Sequence, residues 1–392
     1  MINFEEAQRL KNLPIYVFAR LDELKEQARA RGEDLIDLGM GNPDLPCRPE
    51  VIKAAQKALE SHQYTRYPAF NGLPEFREAV AKWVKRSSGA VIDPKNEVIP
   101  LIGSKEGLVH LALALLNPGD VCLIVKPAYP AHIRGTLLAG GVPKAMPVLP
   151  GTYLPDFSKI DAEDVKRAKM MVLSYPTNPT AQVAPREIYE KAVAFCAEHN
   201  IVLVNDYVYG EIYFGKEAPV SILSIPGAKD IAVEFRTMSK VFSMPGFRIG
   251  YCVGNQKILR ALLKLKTNLD YGLFMVSQMA AVEAFNITDA ELDNIRNIYR
   301  KRRDILVDGL NSLGWQLKKP EATFYVWVPI PADFDSESFT MFLLDKVGVV
   351  VSPGTAFGEE GEGFVRFSLV QSEARIQEAI ERMKKHGVSY SA

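Results

Sequence analysis

The sequence has no excess of charge of either sign. Lysine and arginine together number 47, aspartate and glutamate also number 47, and the formal net charge at pH 7 is zero. Nucleic acids and anionic membrane surfaces attract proteins through basic stripes or patches. We therefore expect neither a nucleic acid nor a membrane among the partners of this chain. A net charge near zero also favours self-association, although weakly.

Cysteine is scarce and is not spaced as metal ligands or disulfide pairs. The cysteines are Cys47, Cys122, Cys196 and Cys252. They lack Cys-x-x-Cys spacing and three of them lie in apolar runs, a pattern typical of buried free thiols in a reducing compartment. The first fourteen residues are polar and acidic and do not resemble a signal peptide. We therefore predict a cytoplasmic protein without a metal site.

Long apolar runs and nucleotide-binding loops are also missing. The longest apolar stretch, residues 108–125, contains Asn-Pro-Gly-Asp, so it predicts a helix, a turn and a strand and not a membrane span. The segment GSKEG at 103–107 is not a Gly-x-Gly-x-x-Gly loop, and no Gly-Lys-Ser/Thr loop occurs. This argues against a nucleotide-dependent dehydrogenase. Internal repeats and low-complexity linkers are likewise not visible.

Helix and strand patterns alternate through the middle of the chain. Apolar spacing predicts helices at 50–62, 73–89, 104–116 and 185–200. Ser104 is predicted to be the N-cap of the third helix. Short apolar runs, typical of strands buried on both faces, lie at 121–125, 170–176, 201–206, 231–237 and 249–254. This alternation predicts an α/β fold with a mostly parallel sheet covered by helices.

The C-terminal part has a different order of predicted helices and strands. A long helical region runs from about residue 276 to 314, with an interruption near 286–291. Strands predicted at 323–330, 347–354 and 364–370 follow it, and then a helix at 372–387. A chain of 392 residues exceeds the size at which a single core stops growing. We therefore predict a large domain over 51–285 and a small α+β domain over 286–392, which the N-terminal segment 1–50 joins.

Polar residues follow the predicted strands at their carboxyl ends, where parallel α/β sheets bind ligands. The residues at this predicted rim are Ser104, Tyr129, Asn178, Asp206, Tyr209, Thr237, Ser239, Lys240 and Arg248. Each has an ordinary structural explanation, since Asp206 could cap a loop, Asn178 could form a turn and Arg248 could make a surface ion pair. Their arrival at one edge of one sheet is much harder to explain in that way.

A lysine, a carboxylate and an anion site together favour pyridoxal phosphate. This aldehyde cofactor needs a lysine for an imine bond, an anchor for its phosphate, a ring to stack on and an acid partner for its ring nitrogen. Lys240 would hold the cofactor and later move a proton at the substrate α-carbon, while Asp206 would keep the ring nitrogen protonated. Arg248, across a Met-Pro-Gly turn from Lys240, offers the phosphate a bidentate fork, beside the free N–H groups where the helix at Ser104 begins.

Several segments resemble the signature blocks of the class I/II (fold-type I) pyridoxal-phosphate aminotransferases. They are DLGMGNPDLP (37–46), YPTNPTAQVA (175–184), NDYVYGEIYF (205–214), TMSKVFSMPGFRIGY (237–251) and FVRFSLV (364–370). Their order covers nearly the whole chain, and the subgroup they resemble most contains alanine (glutamate–pyruvate) and LL-diaminopimelate aminotransferases. The resemblance implies a large seven-stranded sheet, a small domain built from both chain ends, and a homodimer with shared active sites. It also implies ping-pong transfer of an amino group from an amino acid to a 2-oxo acid such as 2-oxoglutarate.

The resemblance assigns roles around the cofactor ring. Lys240 resembles the Schiff-base lysine, and Asp206 resembles the partner of the ring nitrogen. Asn178 and Tyr209 resemble the pair that bonds the cofactor's phenolic oxygen, and Tyr129 resembles the ring stacked on the cofactor. Lys240, Asp206 and Tyr209 are therefore the predicted catalytic residues.

The same resemblance indicates which residues bind the cofactor phosphate and which bind the substrate carboxylate. The residues that resemble phosphate ligands are Gly103, Ser104, Lys105, Ser239 and Arg248, with Thr237 a weaker candidate. Tyr67 resembles the tyrosine that reaches the phosphate of the neighbouring subunit. Arg366 matches the arginine that binds the substrate α-carboxylate, helped by the backbone at Gly41 and by Asn178.

Two departures from the family pattern and several alternatives remain. Ala181 replaces a usual glycine, which we expect to affect only a turn, and YVYGEIY at 207–213 replaces the subgroup's LAYADIV beside the cofactor. The second departure leaves the substrate open, so an aspartate or broad-specificity aminotransferase is an alternative. A β-lyase, a decarboxylase or an acyl-transferring synthase could use the same fold, and so could a catalytically silent binding protein.

The sequence also leaves open what reads a distal substrate carboxylate. Lys105 follows Ser104 at the start of the helix, so its flexible side chain could reach either the substrate or the cofactor phosphate. If Lys105 serves the phosphate, Tyr16 or Tyr271 of a neighbouring chain are the alternatives.

Overall fold

The computed structural model describes residues 2, 4–14 and 17–390, with the side chains of 17–19 left aside. Tyr16 lies outside the described residues. Within them the strands are, in chain order, β1 Ile36–Asp37, β2 Val98–Leu101, β3 Val121–Ile124, β4 Val142–Ala145, β5 Ala168–Leu173, β6 Val202–Asp206, β7 Ala232–Thr237, β8 Gly250–Gly254, β9 Tyr325–Pro329, β10 Val349–Val350, β11 Ser352–Pro353 and β12 Phe364–Ser368.

Helices surround these strands and connect most of them. Across the described part of the chain they are α1 Gln8–Lys11, α2 Val17–Ala30, α3 Pro49–Glu60, α4 Pro74–Ser88, α5 Ser104–Leu115, α6 Pro130–Leu138, α7 Ala162–Arg167, α8 Arg186–His199, α9 Ala228–Ile231, α10 Gln256–Leu269, α11 Met275–Ala284, α12 Asp289–Ser312, α13 Ser336–Phe342 and α14 Glu373–Lys385. None of the described helices is both long and apolar enough to cross a membrane.

The large sheet has seven strands in the order β2-β8-β7-β6-β5-β3-β4. All of its strands run in one direction except β8, which is antiparallel to both β2 and β7. Helices cover both faces, so apolar clusters lie on each side: Ile124 and Val204 face α5 and α10, and Leu123 and Leu203 face the opposite cluster. The predicted α/β fold with a mostly parallel sheet is confirmed. Burial on both faces explains why these strands read as continuous apolar runs.

The chain ends build two further small sheets. Strand β1 from the N-terminal part pairs in parallel with β10, and β9, β12 and β11 form an antiparallel sheet in the order β11-β12-β9. The run 347–354, predicted as one strand, is therefore two short strands that belong to different sheets. The interruption predicted near 286–291 is confirmed, because α11 ends at Ala284 and Thr288 opens α12 with a capping box to Glu291.

The prediction that Ser104 is the N-cap of α5 was also wrong. Ser104 is the first residue of α5 and its side chain makes no capping bond, because Gly103 occupies the N-cap position. Gly103 has φ 82° and ψ 152°, a conformation available almost only to glycine. The prediction that the cysteines are free thiols is confirmed, and Cys122, Cys196 and Cys252 are buried.

Candidate active site

A cavity of about 690 Å³ opens at the carboxyl ends of β5, β6 and β7. It is lined by nearly every residue that the sequence predicts for the site, namely Gly41, Gly103, Ser104, Lys105, Tyr129, Asn178, Asp206, Tyr209, Thr237, Ser239, Lys240, Arg248 and Arg366. Residues separated by more than three hundred positions therefore meet in one place. The volume is within the range of small-molecule and cofactor sites.

Lys240 follows β7 and reaches into this cavity. Its Nζ donates a hydrogen bond of 2.9 Å to the carbonyl oxygen of Gly41. Burial lowers the pKa of Lys240 below its ordinary value; Tyr325 opposes this effect, and the cationic guanidinium of Arg366 adds to it. A lysine amine with a lowered pKa is more often neutral, and the neutral amine can attack an aldehyde or accept a proton.

Asp206 ends β6 and is only 2% exposed. Its Oδ2 lies 2.9 Å from Nε2 of His132, which is also buried. Its Oδ1 is buried and has no hydrogen-bond partner among the described residues. A buried carboxylate oxygen without a partner is costly. The arrangement therefore suits a cationic N–H group of a ligand that enters the cavity.

Arg366 lies in the middle of β12, opposite Trp327 of β9. Its guanidinium donates to three neutral oxygens, namely Gly39 O at 2.6 Å, Asn178 Oδ1 at 2.7 Å and Ser352 Oγ at 3.2 Å. These bonds fix the plane of a guanidinium that is 3% exposed. A fixed guanidinium at the edge of a cavity is suited to bidentate binding of a carboxylate.

Two buried tyrosines meet beside these groups. The hydroxyl groups of Tyr209 and Tyr325 lie 2.9 Å apart, and the guanidinium carbon of Arg366 lies 4.1 Å from the centre of the Tyr325 ring. Burial raises the pKa of Tyr209 well above its ordinary value, and the neighbouring Tyr325 adds to this effect. Tyr209 is therefore a neutral hydrogen-bond donor at physiological pH.

A concave backbone surface lies at the other end of the cavity, where α5 begins. A Cβ atom at Gly103 would lie 2.4 Å from Nη2 of Arg248, and a Cβ at Gly250 would lie 2.9 Å from the backbone nitrogen of Ser104. Glycine at both positions keeps Arg248 close to the start of the helix. Backbone N–H groups of a first helical turn, together with an arginine, form a site for a phosphate-sized anion.

Tyr67 is the one predicted site residue outside this cavity. It is 81% exposed, and its ring centroid lies 4.5 Å from that of Tyr271, which is 58% exposed. The ring centroids of Phe70 and Tyr271 lie 5.0 Å apart. Within one chain Tyr67 therefore belongs to an exposed aromatic patch, and its predicted role toward a neighbouring subunit stays a prediction.

A second charged cluster lies behind the start of α5. Glu106, His110 and Asp270 place their ligand atoms within 4.8 Å of one another, a grouping that could hold a metal ion. The ammonium group of Lys266 lies 2.6 Å from Glu106 Oε1 and 2.7 Å from Asp270 Oδ2. The lysine therefore already supplies the positive charge between these carboxylates, and the cluster is an internal ion-pair network.

Two residues in contact with the predicted site residues, His132 and Tyr325, were not predicted from the sequence. His132 lies three residues after Tyr129 in the first turn of α6, so helical spacing could have placed it beside a known site residue. Tyr325 lies at the start of β9, in an apolar run next to Phe324, and nothing in that pattern separates it from a core aromatic residue. Their partners are 74 and 116 positions away in sequence.

Comparisons with known proteins agree with this geometry. The sequence profile of a family described as aminotransferase class I and II matches residues 33–383. The LL-diaminopimelate aminotransferase of Desulforudis audaxviator (strain MP104C) is 44% identical to the chain over 384 residues, which are 98% of each protein. Among solved structures, apo-BacF from Bacillus subtilis has a TM-score of 0.95 at 36% identity and covers 99% of this chain and 100% of its own.

A mutant aspartate aminotransferase from Thermus thermophilus is also similar, with a TM-score of 0.90, 30% identity, and coverage of 97% of this chain and 99% of its own. The profile match covers most of the chain, and the relatives cover 97–99% of it. The predicted transaminase activity and the predicted cofactor, pyridoxal phosphate, are thereby confirmed. The chain belongs to the class I and II aminotransferases and is a pyridoxal-phosphate-dependent transaminase of fold type I.

Proposed function

We propose that this transaminase transfers the amino group of LL-diaminopimelate to 2-oxoglutarate. The observation that carries the proposal is the similarity to curated relatives named LL-diaminopimelate aminotransferase, which are 42–44% identical over 97–98% of the chain. The similarity extends over nearly the whole chain.

The charges at the exposed part of the cavity support such a substrate. Arg29 and Lys105 contribute positive charge there, whereas the carboxylate of Asp44 is paired with Arg302, which donates to its two oxygens at 2.7 and 2.8 Å. The far end of LL-diaminopimelate carries a second ammonium group and a second carboxylate, and 2-oxoglutarate carries a second carboxylate. The cationic side chains of Arg29 and Lys105 are suited to bind the distal carboxylate of either compound by charge-assisted hydrogen bonds.

We propose that Lys105 binds the distal carboxylate of the substrate. Its exposed side chain lies at the start of α5 and lines the cavity. Lys105→Ala is expected to weaken the glutamate half-reaction by about 1–3 kcal/mol, while the alanine half-reaction changes far less. Single-turnover absorbance measurements with both amino acids test this difference. Equal losses would assign Lys105 to the cofactor phosphate instead.

The residues around the cavity fit pyridoxal phosphate. When bound, this cofactor withdraws electrons from the substrate α-carbon. Lys240 is proposed to attach it, and Asp206 Oδ1, which lacks a partner in the described structure, would accept the N–H of its ring nitrogen. Tyr209 and Asn178 would bond its phenolic oxygen, and Tyr129 would stack on its ring.

The phosphate group fits the other end of the cavity. The proposed ligands are the backbone of Gly103 and Ser104 and the side chains of Ser239 and Arg248, with Thr237 close by. Thr237 Oγ1 accepts a hydrogen bond of 3.1 Å from the backbone nitrogen of Ser239, which shapes this loop. One cofactor would then be held at both ends, with its ring nitrogen at Asp206 and its phosphate at the start of α5.

Two side chains and one backbone group are proposed to perform the transfer itself. Arg366 and the backbone of Gly41 are proposed to bind the α-carboxylate, which orients the α-carbon toward Lys240. The neutral Nζ of Lys240 would take the proton from the α-carbon and later give it up again, as a general base and then a general acid. Because Arg366 belongs to the predicted small domain, carboxylate binding draws that domain over the cavity and excludes water.

The aromatic patch of Tyr67, Phe70 and Tyr271 supports a homodimer. Exposed aromatic clusters mark protein–protein contacts, and Tyr67 is proposed to reach the phosphate site of the partner subunit. Sedimentation of the wild-type protein and of Tyr67→Ser tests the dimer: a fully active monomer would contradict it.

We also propose that the protein is located in the cytoplasm.

The substrate proposal is tested by half-reactions. The cofactor-loaded protein is mixed with LL-diaminopimelate, L-glutamate, L-aspartate or L-alanine, without an oxo acid, while the cofactor absorbance is followed. We expect fast conversion by LL-diaminopimelate and by L-glutamate. Fast conversion by L-aspartate alone would favour an aspartate aminotransferase. A β-lyase would release ammonia and an oxo acid only from an added amino acid with a leaving group on its β-carbon, which none of these four carries.

A further inference from the structure

Tyr325 lies in contact with three groups of the proposed site. Its hydroxyl is 2.9 Å from that of Tyr209, and its ring lies 4.1 Å from the guanidinium of Arg366. A Cβ atom at Gly41 would lie 1.8 Å from the Tyr325 hydroxyl, so this hydroxyl is packed against the Gly41 backbone. Gly41 in turn accepts the hydrogen bond from Lys240.

The direction of the bond between the two tyrosines decides what Tyr209 can do. A phenol has one proton to donate and can accept two hydrogen bonds. If Tyr209 donates its proton to Tyr325, it has none left for a ligand. If Tyr325 donates to Tyr209, the proton of Tyr209 is directed into the cavity, where it can bond a ligand oxygen.

We infer that Tyr325 is a positioning residue that donates its hydroxyl proton to Tyr209 and so directs the Tyr209 proton toward the cofactor's phenolic oxygen. This inference rests on the proposed role of Tyr209. Tyr325 lies in β9 beside β12, the strand that carries Arg366, whereas Tyr209 follows β6 of the large sheet. The bond therefore connects the part of the chain that binds the substrate carboxylate to the part that binds the cofactor.

The effect of Tyr325 has a spectroscopic readout. A hydrogen bond donated to the phenolic oxygen withdraws electron density from it, and this makes the nitrogen that links Lys240 to the cofactor easier to deprotonate. The titratable and charged groups facing the Tyr325 hydroxyl are Tyr209, Lys240, Arg366 and, behind Phe324, Tyr299. Of these, Tyr209 is the one hydrogen-bonded to it.

The test is a pH titration of the cofactor absorbance in Tyr325→Phe, which keeps the ring under Arg366 and removes only the hydroxyl. We expect the pKa of the linking nitrogen to rise by about 0.5–1, which corresponds to one hydrogen bond. Tyr299→Phe is the matched control, because the Tyr299 hydroxyl is buried and makes no hydrogen bond in the described part of the chain. It should leave the titration unchanged.

A double variant separates this role from a general structural one. Since Tyr325 is inferred to act through Tyr209, Tyr209→Phe should raise the same pKa, and adding Tyr325→Phe to it should raise it no further. Additive effects, or a titration of Tyr325→Phe equal to that of the wild type, would overturn the inference. If Tyr325→Phe does not fold, 3-fluorotyrosine at position 325, a stronger donor, should lower the pKa instead. A wild-type protein without a cofactor band would contradict the proposed function and not this inference.

Discussion

Asp206 and Glu234 are buried carboxylates on neighbouring strands of the same sheet, with Asp206 opposite Phe235 and Glu234 opposite Asn205. Both oxygens of Glu234 accept hydrogen bonds, from Asn205, Ser221, the backbone of Ile222 and Arg236. Asp206 has His132 on one oxygen and no partner in the described structure on the other. Glu234 is therefore satisfied by the fold, whereas one oxygen of Asp206 is available to a ligand.

Two buried arginines repeat this contrast. Arg236 of β7 donates to the carboxylate of Glu234 at 2.7 Å, lies over the ring of Tyr207, and is not among the residues that line the cavity. Arg366 is equally buried but donates to neutral oxygens and lines the cavity. We therefore expect changes at Arg236 and Glu234 to affect mainly stability, and changes at Arg366 and Asp206 to affect mainly the reaction.

The largest expected effect comes from exchanging the two carboxylates for amides. Asp206→Asn should reduce the rate of the half-reaction by about 10²–10⁴-fold, because a neutral amide does not hold a proton on the ring nitrogen, while the unfolding free energy without cofactor stays close to that of the wild type. Glu234→Gln should lower the unfolding free energy by about 3–5 kcal/mol, because the buried Arg236 loses its carboxylate partner at 2.7 Å and keeps the more distant Glu211 at 3.5 Å. Urea unfolding and single-turnover kinetics on both variants measure this. The reverse pattern would contradict the comparison.

Arg366→Lys should produce the next largest effect. A lysine is a point charge and cannot replace the planar fork, so the specificity constant should fall by about ten- to a hundredfold, or 1.5–3 kcal/mol, with every amino donor. Arg236→Lys is the matched control and should lose stability with little change in the half-reaction of the folded protein. Unchanged kinetics in Arg366→Lys would remove Arg366 from the site.

A smaller effect should appear in the pH dependence of stability. Because burial lowers the pKa of Lys240 in the folded protein, the unfolded chain binds more protons between this lowered pKa and the ordinary value of about 10.4. The unfolding free energy of the cofactor-free protein should therefore rise with pH through this window, relative to Lys240→Met, and the difference should become constant above it. Thermal unfolding of both proteins across this pH range tests the prediction. A difference that falls with rising pH would show that Lys240 is stabilised in its charged form.

The smallest expected effect concerns the turn that carries Asn178. Ala181 is buried and has φ 57°, a left-handed conformation that strains any residue with a Cβ atom. Ala181→Gly removes this strain but makes the unfolded chain more flexible, so we expect a gain of about 0.5–1 kcal/mol in unfolding free energy and an unchanged half-reaction. A loss of activity would mean that the Ala181 methyl group positions Asn178.

Much of the fold and of the rim was predictable, because apolar runs and strand ends are local features of the sequence. The runs that end at Asp206 and Thr237 and the turn before Arg248 predicted most of the named residues that line the cavity. The bond between His132 and Asp206 was not predictable, because it depends on how α6 packs against β6. The division of 347–354 between two sheets was missed for the same reason, since it is fixed by pairing with distant strands.

The position of the helix start was missed for a different reason. A serine before a helical pattern predicts an N-cap, but the close approach of Arg248 and the conformation of Gly103 move the cap one residue earlier. The bond between Tyr209 and Tyr325 also crosses from the large sheet to β9, and no periodicity in either segment encodes it.

The role proposed for Asp206 is tested most directly by the protonation state of the cofactor's ring nitrogen. Pyridoxal phosphate with a nitrogen-15 label in the ring is bound to the wild-type protein and to Asp206→Asn, and the ring-nitrogen resonance is recorded as a function of pH. We expect the nitrogen to stay protonated through neutral and mildly alkaline pH in the wild type, and to lose its proton in Asp206→Asn. A ring nitrogen that is unprotonated in the wild type at neutral pH would show that the Asp206 oxygen is not held for it.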